Sequence, residues 1–242
     1  MCSSDLSHVA PAQAPATSPR RRLQLRRPGA GFSYVAPAQA GVQFCMRGCG
    51  TKLGPGLRRG VLFYRMDVMS AVSIRPATEA DIPAITRIYA HAVNTGTASF
   101  ELEAPAESEM TRRMKTLIDS GYPYIAATVG GALAGYAYAG PYRPRPAYRF
   151  AVEDSIYVDQ TSLRRGVGRI LLKHLIRESE TRGYRQMVAI IGDSANAPSI
   201  ELHRALGFRM VGNFENVGYK FGRWLDSVMM QRALGEGAST KP

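Results

Sequence analysis

The sequence predicts one α/β domain built on a mixed sheet, and three observations support this prediction. Short segments with alternating or continuous apolar residues, typical of strands, recur along the chain. Between them lie longer segments whose apolar residues recur every three to four positions, as in amphipathic helices. Glycine and proline separate the segments, and the resulting order, βααβββαβαββ, is typical of an α/β domain.

The composition of the 242-residue chain excludes several classes of protein. Apolar residues make up 45% and charged residues 21%, which is typical of a globular protein rather than a disordered one. No uninterrupted apolar run approaches the roughly 18–20 residues that a membrane-spanning helix needs. The three cysteines, Cys2, Cys45 and Cys49, are too few for a disulfide framework. All three precede residue 69, so no later cysteine can act as a nucleophile or a metal ligand.

The charge is divided unevenly along the chain, and this division predicts two parts. The formal net charge is +12, of which +8 falls in residues 1–68 and +4 in residues 69–242. The first part has irregularly spaced proline and glycine and arginine runs without acidic partners, so we predict a disordered basic extension. A transit peptide, a nucleic-acid-binding tail, and a misassigned start or artefact upstream of Met69 are the alternatives. Residues 69–242 are the predicted folded domain.

The domain is predicted to begin with a strand and two helices. Residues 72–74 alternate as a short strand. Thr78 and Asp81, three positions apart, form the pattern of a capping box before an amphipathic helix. The apolar face of that helix consists of Ile82, Ile85, Ile88, Tyr89 and Val93. After a polar loop around Phe100, a second helix is predicted over 106–118, with Gly121 and Pro123 behind it.

The remaining elements follow from turn residues and apolar runs. Two strands, 124–129 and 132–139, flank Gly130-Gly131 and predict a β-hairpin. Residues 140–148 contain three prolines and are predicted to form an irregular loop. The other elements alternate as strand, helix, strand, helix, strand, strand, over 150–158, 168–182, 186–191, 196–206, 208–213 and 227–232. Asn196 is a good N-cap for its helix, with Pro198 in the first turn and Gly207 as C-cap.

A glycine- and arginine-rich turn carries the first chemical signal. Residues 163–169, Leu-Arg-Arg-Gly-Val-Gly-Arg, follow a strand and open a helix. Glycine lets backbone N–H groups close around an anion, and the helix N-terminus and arginines favour a pyrophosphate. A P-loop is excluded because Arg169 and Ile170 follow Gly168 where Lys-Ser/Thr is needed. A dinucleotide fingerprint is excluded because Leu171 replaces its third glycine.

A second block identifies the family that the chain resembles. Residues 196–208, Asn-Ala-Pro-Ser-Ile-Glu-Leu-His-Arg-Ala-Leu-Gly-Phe, follow one strand after the first motif. Together the two blocks resemble the GCN5-related N-acetyltransferase (GNAT) family. The segments 137–142, 152–158, 190–192 and 219–226 are similar to its phosphinothricin and methionine-sulfoximine acetyltransferases. The resemblance extends from Ile74 to Gln231 and implies a mixed, mostly antiparallel sheet flanked by helices.

The resemblance implies acetyl-CoA as co-substrate, bound in a V-shaped splay between two neighbouring strands. Backbone groups of Ile156, Tyr157 and Val158 would pair with the pantetheine. The amides of the turn would hold the pyrophosphate, and these residues are Arg164, Arg165, Gly166, Val167, Gly168 and Arg169. Asn196 would contact the pantetheine arm, with Ser199 nearby. Leu163 departs from the glutamine or arginine usual in the family, so we expect weaker acetyl-CoA binding rather than lost activity.

Acetyl transfer to an amine needs a base, because alkylammonium groups titrate near 10.4 and peptide α-amino groups near 8. Glu153 matches the family's catalytic glutamate and is the predicted base. Asp154 should face the opposite side of the strand. His203 occupies the place where many relatives have a tyrosine, so the resemblance implies that it donates a proton to the departing thiolate. His91 and His174 have no partner at ligand spacing, and we predict no metal site.

The acceptor is predicted to be a small amino-acid-like amine of the phosphinothricin, methionine sulfoximine or methionine sulfone type. Guanidinium groups suit a carboxylate or phosphinate, and aromatic rings could wall the pocket. The candidate residues are Phe100, Tyr142, Arg143, Tyr148 and Arg149. With no cysteine in the domain, transfer should be direct, in a ternary complex. The resemblance also implies a homodimer formed near residues 219–226.

Two other functions stay open at this stage. A protein or peptide N-terminal acetyltransferase on the same fold would need an open acidic groove, which the arginines of 140–149 disfavour. A nucleic-acid-binding protein is suggested by the total charge, but the domain itself carries only +4. We therefore expect an enzyme that binds neither nucleic acid nor membrane and that is located in the cytoplasm.

Overall fold

A computed structural model describes residues 71–242, so the predicted extension over 1–68 lies outside the described residues. Within the described part, the chain forms seven strands and four α-helices in the predicted order. The strands are β1 Ser73–Pro76, β2 Tyr124–Val129, β3 Ala132–Pro141, β4 Ala151–Val158, β5 Gln186–Gly192, β6 Arg209–Lys220 and β7 Arg223–Ala233. The helices are α1 Ile82–Thr95, α2 Glu107–Asp119, α3 Val167–Thr181 and α4 Ala197–Ala205.

The seven strands form one sheet in the order β1-β2-β3-β4-β5-β7-β6. All neighbours pair antiparallel except β4 and β5, which run parallel. The sheet is therefore mixed and mostly antiparallel, as predicted. The parallel pair needs a crossover, and α3 supplies it between β4 and β5.

Two apolar clusters cover the two faces of the sheet. One contains the buried faces of α3 and β5, with Leu171, Leu175 and Met187 at its centre. The other lies under α1 and α2 and includes Ile85 and Met114. Because side chains alternate along a strand, β2, β3 and β4 contribute to both clusters, whereas the cluster residues of β5 belong to the first.

The capping box predicted for the N-terminus of α1 lies one turn before that helix begins. The Thr78–Asp81 capping box is present, but it closes a short 3₁₀ turn, Glu79–Asp81, and α1 follows directly. The backbone N–H of Thr78 donates to the Asp81 carboxylate at 2.8 Å, and Arg75 donates to it as well. Part of the loop predicted over 140–148 is also regular, because β3 reaches Pro141 and Pro146–Tyr148 forms a 3₁₀ turn.

The last two strands are much longer than predicted. The polar and glycine-containing residues between 213 and 227 belong to β6 and β7, which pair as a hairpin. Phe221 and Gly222, both with positive φ, form its turn. Most side chains on β6 are exposed, and its sequence contains no apolar run that would predict a strand. The strand is recognised from its pairing with β7.

No helix in the described part of the chain has the length and apolar character needed to cross a membrane.

Candidate active site

A cleft opens where β4 and β5 separate. Their parallel pairing ends at Asp154 and Ala189, although β4 continues to Val158 and β5 to Gly192. The space between them has a volume of about 270 Å³. It is lined by the predicted cofactor residues Ile156, Tyr157, Val158, Asn196 and Ser199, and also by Leu163 and His203. The predicted splay between two strands is thus present in the fold.

The glycine- and arginine-rich turn lies directly before α3. Arg164 and Gly166 have φ values of 60° and 79°, so the chain turns sharply before the helix begins at Val167. The first N–H groups of a helix have no partner within it and favour an anion. Gly168 lies close to Val158 and Leu202, where a Cβ would be 3.5 and 3.4 Å from their methyl carbons.

The charged side chains of this turn are free to meet a phosphate. Arg164, Arg165 and Arg169 are exposed, whereas Val167 is buried and anchors the turn. Leu163, 58% exposed, lies at the cleft and brings no polar group to it. At this position the turn therefore offers only backbone groups to the cleft.

Asn196 has a structural task besides the predicted one. Its side-chain oxygen accepts a hydrogen bond from the N–H of Ser199 at 3.4 Å and so caps α4. This cap fixes the helix that carries His203 against the cleft.

Glu153 lies on the face of β4 turned toward α1 and α2. It is half-buried, and it pairs across the sheet with Gly140, against which Leu117 of α2 packs. Burial raises the pKa of Glu153, the neighbouring Asp154 adds to this rise and Arg143 opposes it, so that the net pKa is about 7. A carboxylate with this pKa accepts a proton well at neutral pH.

Aromatic rings surround this face of the sheet, a feature that we did not predict from the sequence. The tyrosine cluster consists of Tyr89, Tyr124, Tyr136, Tyr138 and Tyr157. Tyr136 stacks on Tyr157 with ring centroids 5.3 Å apart, and Tyr157 meets Tyr89 edge to face at 4.9 Å. The spacing of two between Tyr136 and Tyr138 on β3 was the available signal, because it places both rings on one face.

Asp154 and His203 form a pair on the opposite face of β4. Asp154 does point away from Glu153, as predicted, and its Oδ2 lies 2.9 Å from Nε2 of His203. Nδ1 of His203 lies 2.7 Å from the carbonyl oxygen of Ser199. Burial lowers the pKa of His203, but the hydrogen bond and charge of Asp154 outweigh it, so the net pKa is raised. Sequence spacing could not show this pair because 49 residues separate its members.

The predicted acceptor residues lie in two places. Tyr142 and Tyr148 meet edge to face at 5.6 Å, and the guanidinium of Arg143 lies 5.2 Å from the Tyr142 ring centre. Arg143 is also near enough to Glu153 to lower its pKa. Arg149 instead stacks on Phe150 at 4.4 Å and lines a separate depression beside Glu180. The structure therefore brings Arg143, but not Arg149, to the predicted base.

Phe100 approaches the cleft from the α1–α2 loop. Its ring packs on Gly192 at the end of β5 and on Gly218 of β6, where any Cβ would overlap it. Lys220 holds the same loop, since its Nζ donates to the carbonyl oxygens of Gly96 at 3.1 Å and Ser99 at 2.8 Å. This buried lysine was not predicted from the sequence.

His91 and His174 lie outside the cleft. Both are exposed on their helices, and Nε2 of His91 is 3.4 Å from the Thr95 hydroxyl of the same helix.

Comparison with known proteins decides the family. The family model of the acetyltransferase (GNAT) domain matches residues 74–229. This chain belongs to the GNAT family. Its predicted fold and enzyme class, an N-acetyltransferase with acetyl-CoA as donor, are confirmed with it.

The relatives of this GNAT protein include acetyltransferases named for phosphinothricin and for methionine sulfoximine and sulfone. The phosphinothricin N-acetyltransferase of Alcaligenes faecalis is 50% identical over 172 residues, which cover 71% of this chain and 87% of that protein. The L-methionine sulfoximine/L-methionine sulfone acetyltransferase of Pseudomonas aeruginosa is 43% identical, covering 69% of this chain and 96% of that protein. The crystal structure of a phosphinothricin acetyltransferase from Sinorhizobium meliloti in complex with acetyl-CoA is 47% identical, with a TM-score of 0.69 and coverage of 71% and 92%.

Proposed function

We propose that this GNAT protein acetylates the amino group of a small anionic amino-acid-like compound of the phosphinothricin, methionine sulfoximine or methionine sulfone type. The observation that carries the proposal is the position of Glu153. Its half-buried carboxylate, with a pKa of about 7, lies at the point where β4 and β5 begin to separate. The named relatives support the substrate class.

Direct transfer follows from the chemistry of the site. Glu153 takes a proton from the acceptor ammonium, and the free amine attacks the acetyl carbonyl carbon. The carbon–nitrogen bond forms, the carbon–sulfur bond breaks with its electron pair going to sulfur, and the nitrogen of the new amide loses its second proton to solvent. All three cysteines lie before residue 69, so a ternary complex is favoured over an acetyl-cysteine intermediate. We assign His203 to the leaving-group side, because it lines the cleft.

Donor binding is assigned to the cleft and the turn before α3. The strand residues Ile156, Tyr157 and Val158 would pair with the pantetheine, and the open N–H groups around Gly166 and Gly168 would hold the pyrophosphate.

Acceptor recognition is assigned first to Arg143. Its charge lies near Glu153, and a guanidinium binds a carboxylate or phosphinate in two-point geometry. Tyr142 and Tyr148 form an aromatic corner beside it. The remaining assignments, Phe100 and Arg149, stay predictions.

The test is CoA release by the purified full chain with acetyl-CoA and a panel of amines. We expect saturable release with L-phosphinothricin, methionine sulfoximine or methionine sulfone. Release only with peptides that have a free N-terminus would replace the proposal by the peptide-acetyltransferase alternative. No release with any amine would contradict it.

A matched pair of variants locates the anion contact. Arg143→Gln should raise KM for the anionic acceptor by about 10-fold or more, since a charged hydrogen bond contributes about 1.5–3 kcal/mol. Arg182→Gln, at the C-cap of α3 where the side chain pairs with Glu178, should leave KM unchanged.

We also propose a homodimer through the β6–β7 hairpin. β6 is an edge strand, and the hairpin exposes an unusual number of large apolar side chains: Met210, Val211, Phe214, Val217, Tyr219, Phe221 and Trp224. A second copy of this chain, placed about a twofold axis, would cover this surface with its own equivalent. Sedimentation should give a dimer for the wild type and a monomer for Phe214→Glu, while Ile118→Glu on α2 remains dimeric. The cytoplasmic location stays a prediction.

A further inference from the structure

Asp154 and His203 form a buried pair in the wall of the acetyl-CoA cleft. The two residues are 7% and 4% exposed, and both line the cleft. They connect β4, which carries Glu153, with α4, which Asn196 caps. A charged pair in this position costs desolvation energy, so its presence beside a reaction centre calls for a chemical reason.

The hydrogen-bond partners of His203 determine where its protons lie. A carbonyl oxygen only accepts, so the 2.7 Å contact with Ser199 requires a proton on Nδ1. The 2.9 Å contact between Nε2 and Oδ2 of Asp154 requires a second proton between those atoms. The other oxygen of Asp154, Oδ1, is buried and has no hydrogen-bond partner among the described residues. Among the described residues, the His203 ring is therefore the hydrogen-bond partner of the Asp154 carboxyl group.

Other charged groups near the ring do not replace Asp154. On α4, Glu201 and Arg204 are exposed and pair with each other. Behind the helix, the ring of Phe208 meets His203 edge to face at 5.0 Å and contributes no charge. Glu153 points to the other face of β4.

The reaction needs opposite protonation states on the two faces of β4. Glu153 must be deprotonated, which its pKa of about 7 allows only from neutral pH upward. A cation that meets the thiolate must stay protonated over the same range. Burial by itself lowers the pKa of a histidine, so His203 without a partner would lose its charge before Glu153 ionises. Asp154 opposes this loss of charge, because its hydrogen bond and its charge raise the pKa of His203.

We propose that Asp154 is a positioning residue that keeps His203 doubly protonated in the wall of the cleft, so that the departing thiolate meets a cation. The inference rests on the proposed function. Both N–H groups of the ring are engaged by Asp154 and Ser199, so the ring contributes charge, and neither proton is transferred. The thiolate keeps the electron pair of the broken carbon–sulfur bond and takes its proton from solvent as CoA leaves.

The kinetic test is the pH dependence of kcat for the full chain and its Asp154→Asn variant. Asparagine keeps the size of the side chain but carries no charge. We expect the alkaline limb of the variant to move down by about one pH unit or more, with a lower maximum. KM for acetyl-CoA should change little. An unchanged profile would overturn the proposal.

Asp81→Asn is the matched control. Asp81 is also 7% exposed and also pairs with a cation, Arg75, but it lies before α1. This variant should lose stability and keep the wild-type pH profile. If both variants shift the profile equally, Asp154 acts only through the stability of the fold, and the proposal fails.

A spectroscopic test does not depend on activity. Nitrogen-15 spectra of the wild type should show both ring nitrogens of His203 protonated at about pH 7–8, whether or not Asp154→Asn folds. A neutral ring, with the shared proton on Asp154, would overturn the proposal. If the enzyme releases no CoA with any amine, the proposed function fails, while these spectra still decide the state of the pair.

Discussion

The two faces of β4 give two neighbouring carboxyl groups, those of Glu153 and Asp154, different surroundings. Glu153 faces the tyrosine cluster, loses water, and has its pKa raised to about 7. Asp154, the next residue, is more deeply buried but meets His203 at 2.9 Å. The two carboxylates differ in their surroundings: Glu153 loses water without gaining a side-chain partner, whereas Asp154 has the His203 ring at hydrogen-bond distance. Because side chains alternate between the two faces of a strand, two consecutive residues of β4 can have these two environments.

The largest expected effect comes from removing the base. Glu153→Gln should lower kcat by about 100- to 10,000-fold, because a general base contributes that much. Acetyl-CoA binding, measured by calorimetry, should remain. Glu107→Gln, an exposed position in the first turn of α2, serves as control and should keep full activity. Unchanged turnover in Glu153→Gln would show that another group removes the proton.

Breaking the pair on the opposite face should cost stability. His203→Asn leaves Asp154 buried without its cation, and the free energy of unfolding should fall by about 3–5 kcal/mol. Urea denaturation at neutral pH measures it. His174→Asn, an exposed histidine on α3, should change it by less than about 0.5 kcal/mol. Equal values for the two variants would mean that the pair is not formed in solution.

Glu153→Gln should also make the protein more stable at alkaline pH. The pKa of Glu153 in the folded state, about 7, lies above the ordinary value of 4.5, so the folded state binds the proton more tightly. Its stabilising contribution is present below pH 4.5 and is lost as the pH rises through 7. With a discount for partial exposure, the variant should gain on the order of 1 kcal/mol at pH 8. A loss of stability at that pH would contradict the proposed desolvation.

The smallest effect is expected inside the tyrosine cluster. Tyr136 is fully buried, and its hydroxyl has no hydrogen-bond partner within residues 71–242. Tyr136→Phe keeps the ring, so stability should change by less than about 1 kcal/mol, or rise slightly. The acidic limb of the rate profile should stay in place, since Tyr136 lies opposite Tyr157 on β4 and not opposite Glu153. A shifted limb would instead assign a role to the hydroxyl.

The elements that could be predicted are those with a local signal. Gly130-Gly131 between two apolar runs marked the β2–β3 hairpin, and Asn196, Pro198 and Gly207 marked α4. The β6–β7 hairpin was recognised only at its ends, because its exposed strand carries polar and aromatic residues without an apolar run. Its length depends on pairing between strands, which no short segment contains.

The residues of the candidate site also fall into those that the sequence predicted and those that only the structure brought together. The sequence by itself determined the order of the elements, the glycine-containing turn before α3, the opposite orientation of Glu153 and Asp154, and, through resemblance, the family. Only the tertiary structure decided that Asp154 meets His203, that Arg143 rather than Arg149 approaches Glu153, and that Lys220 holds the α1–α2 loop. The physical reason is one of range. Capping, turns and strand alternation act within a few residues, whereas the burial and pairing that set a pKa join residues far apart in the chain.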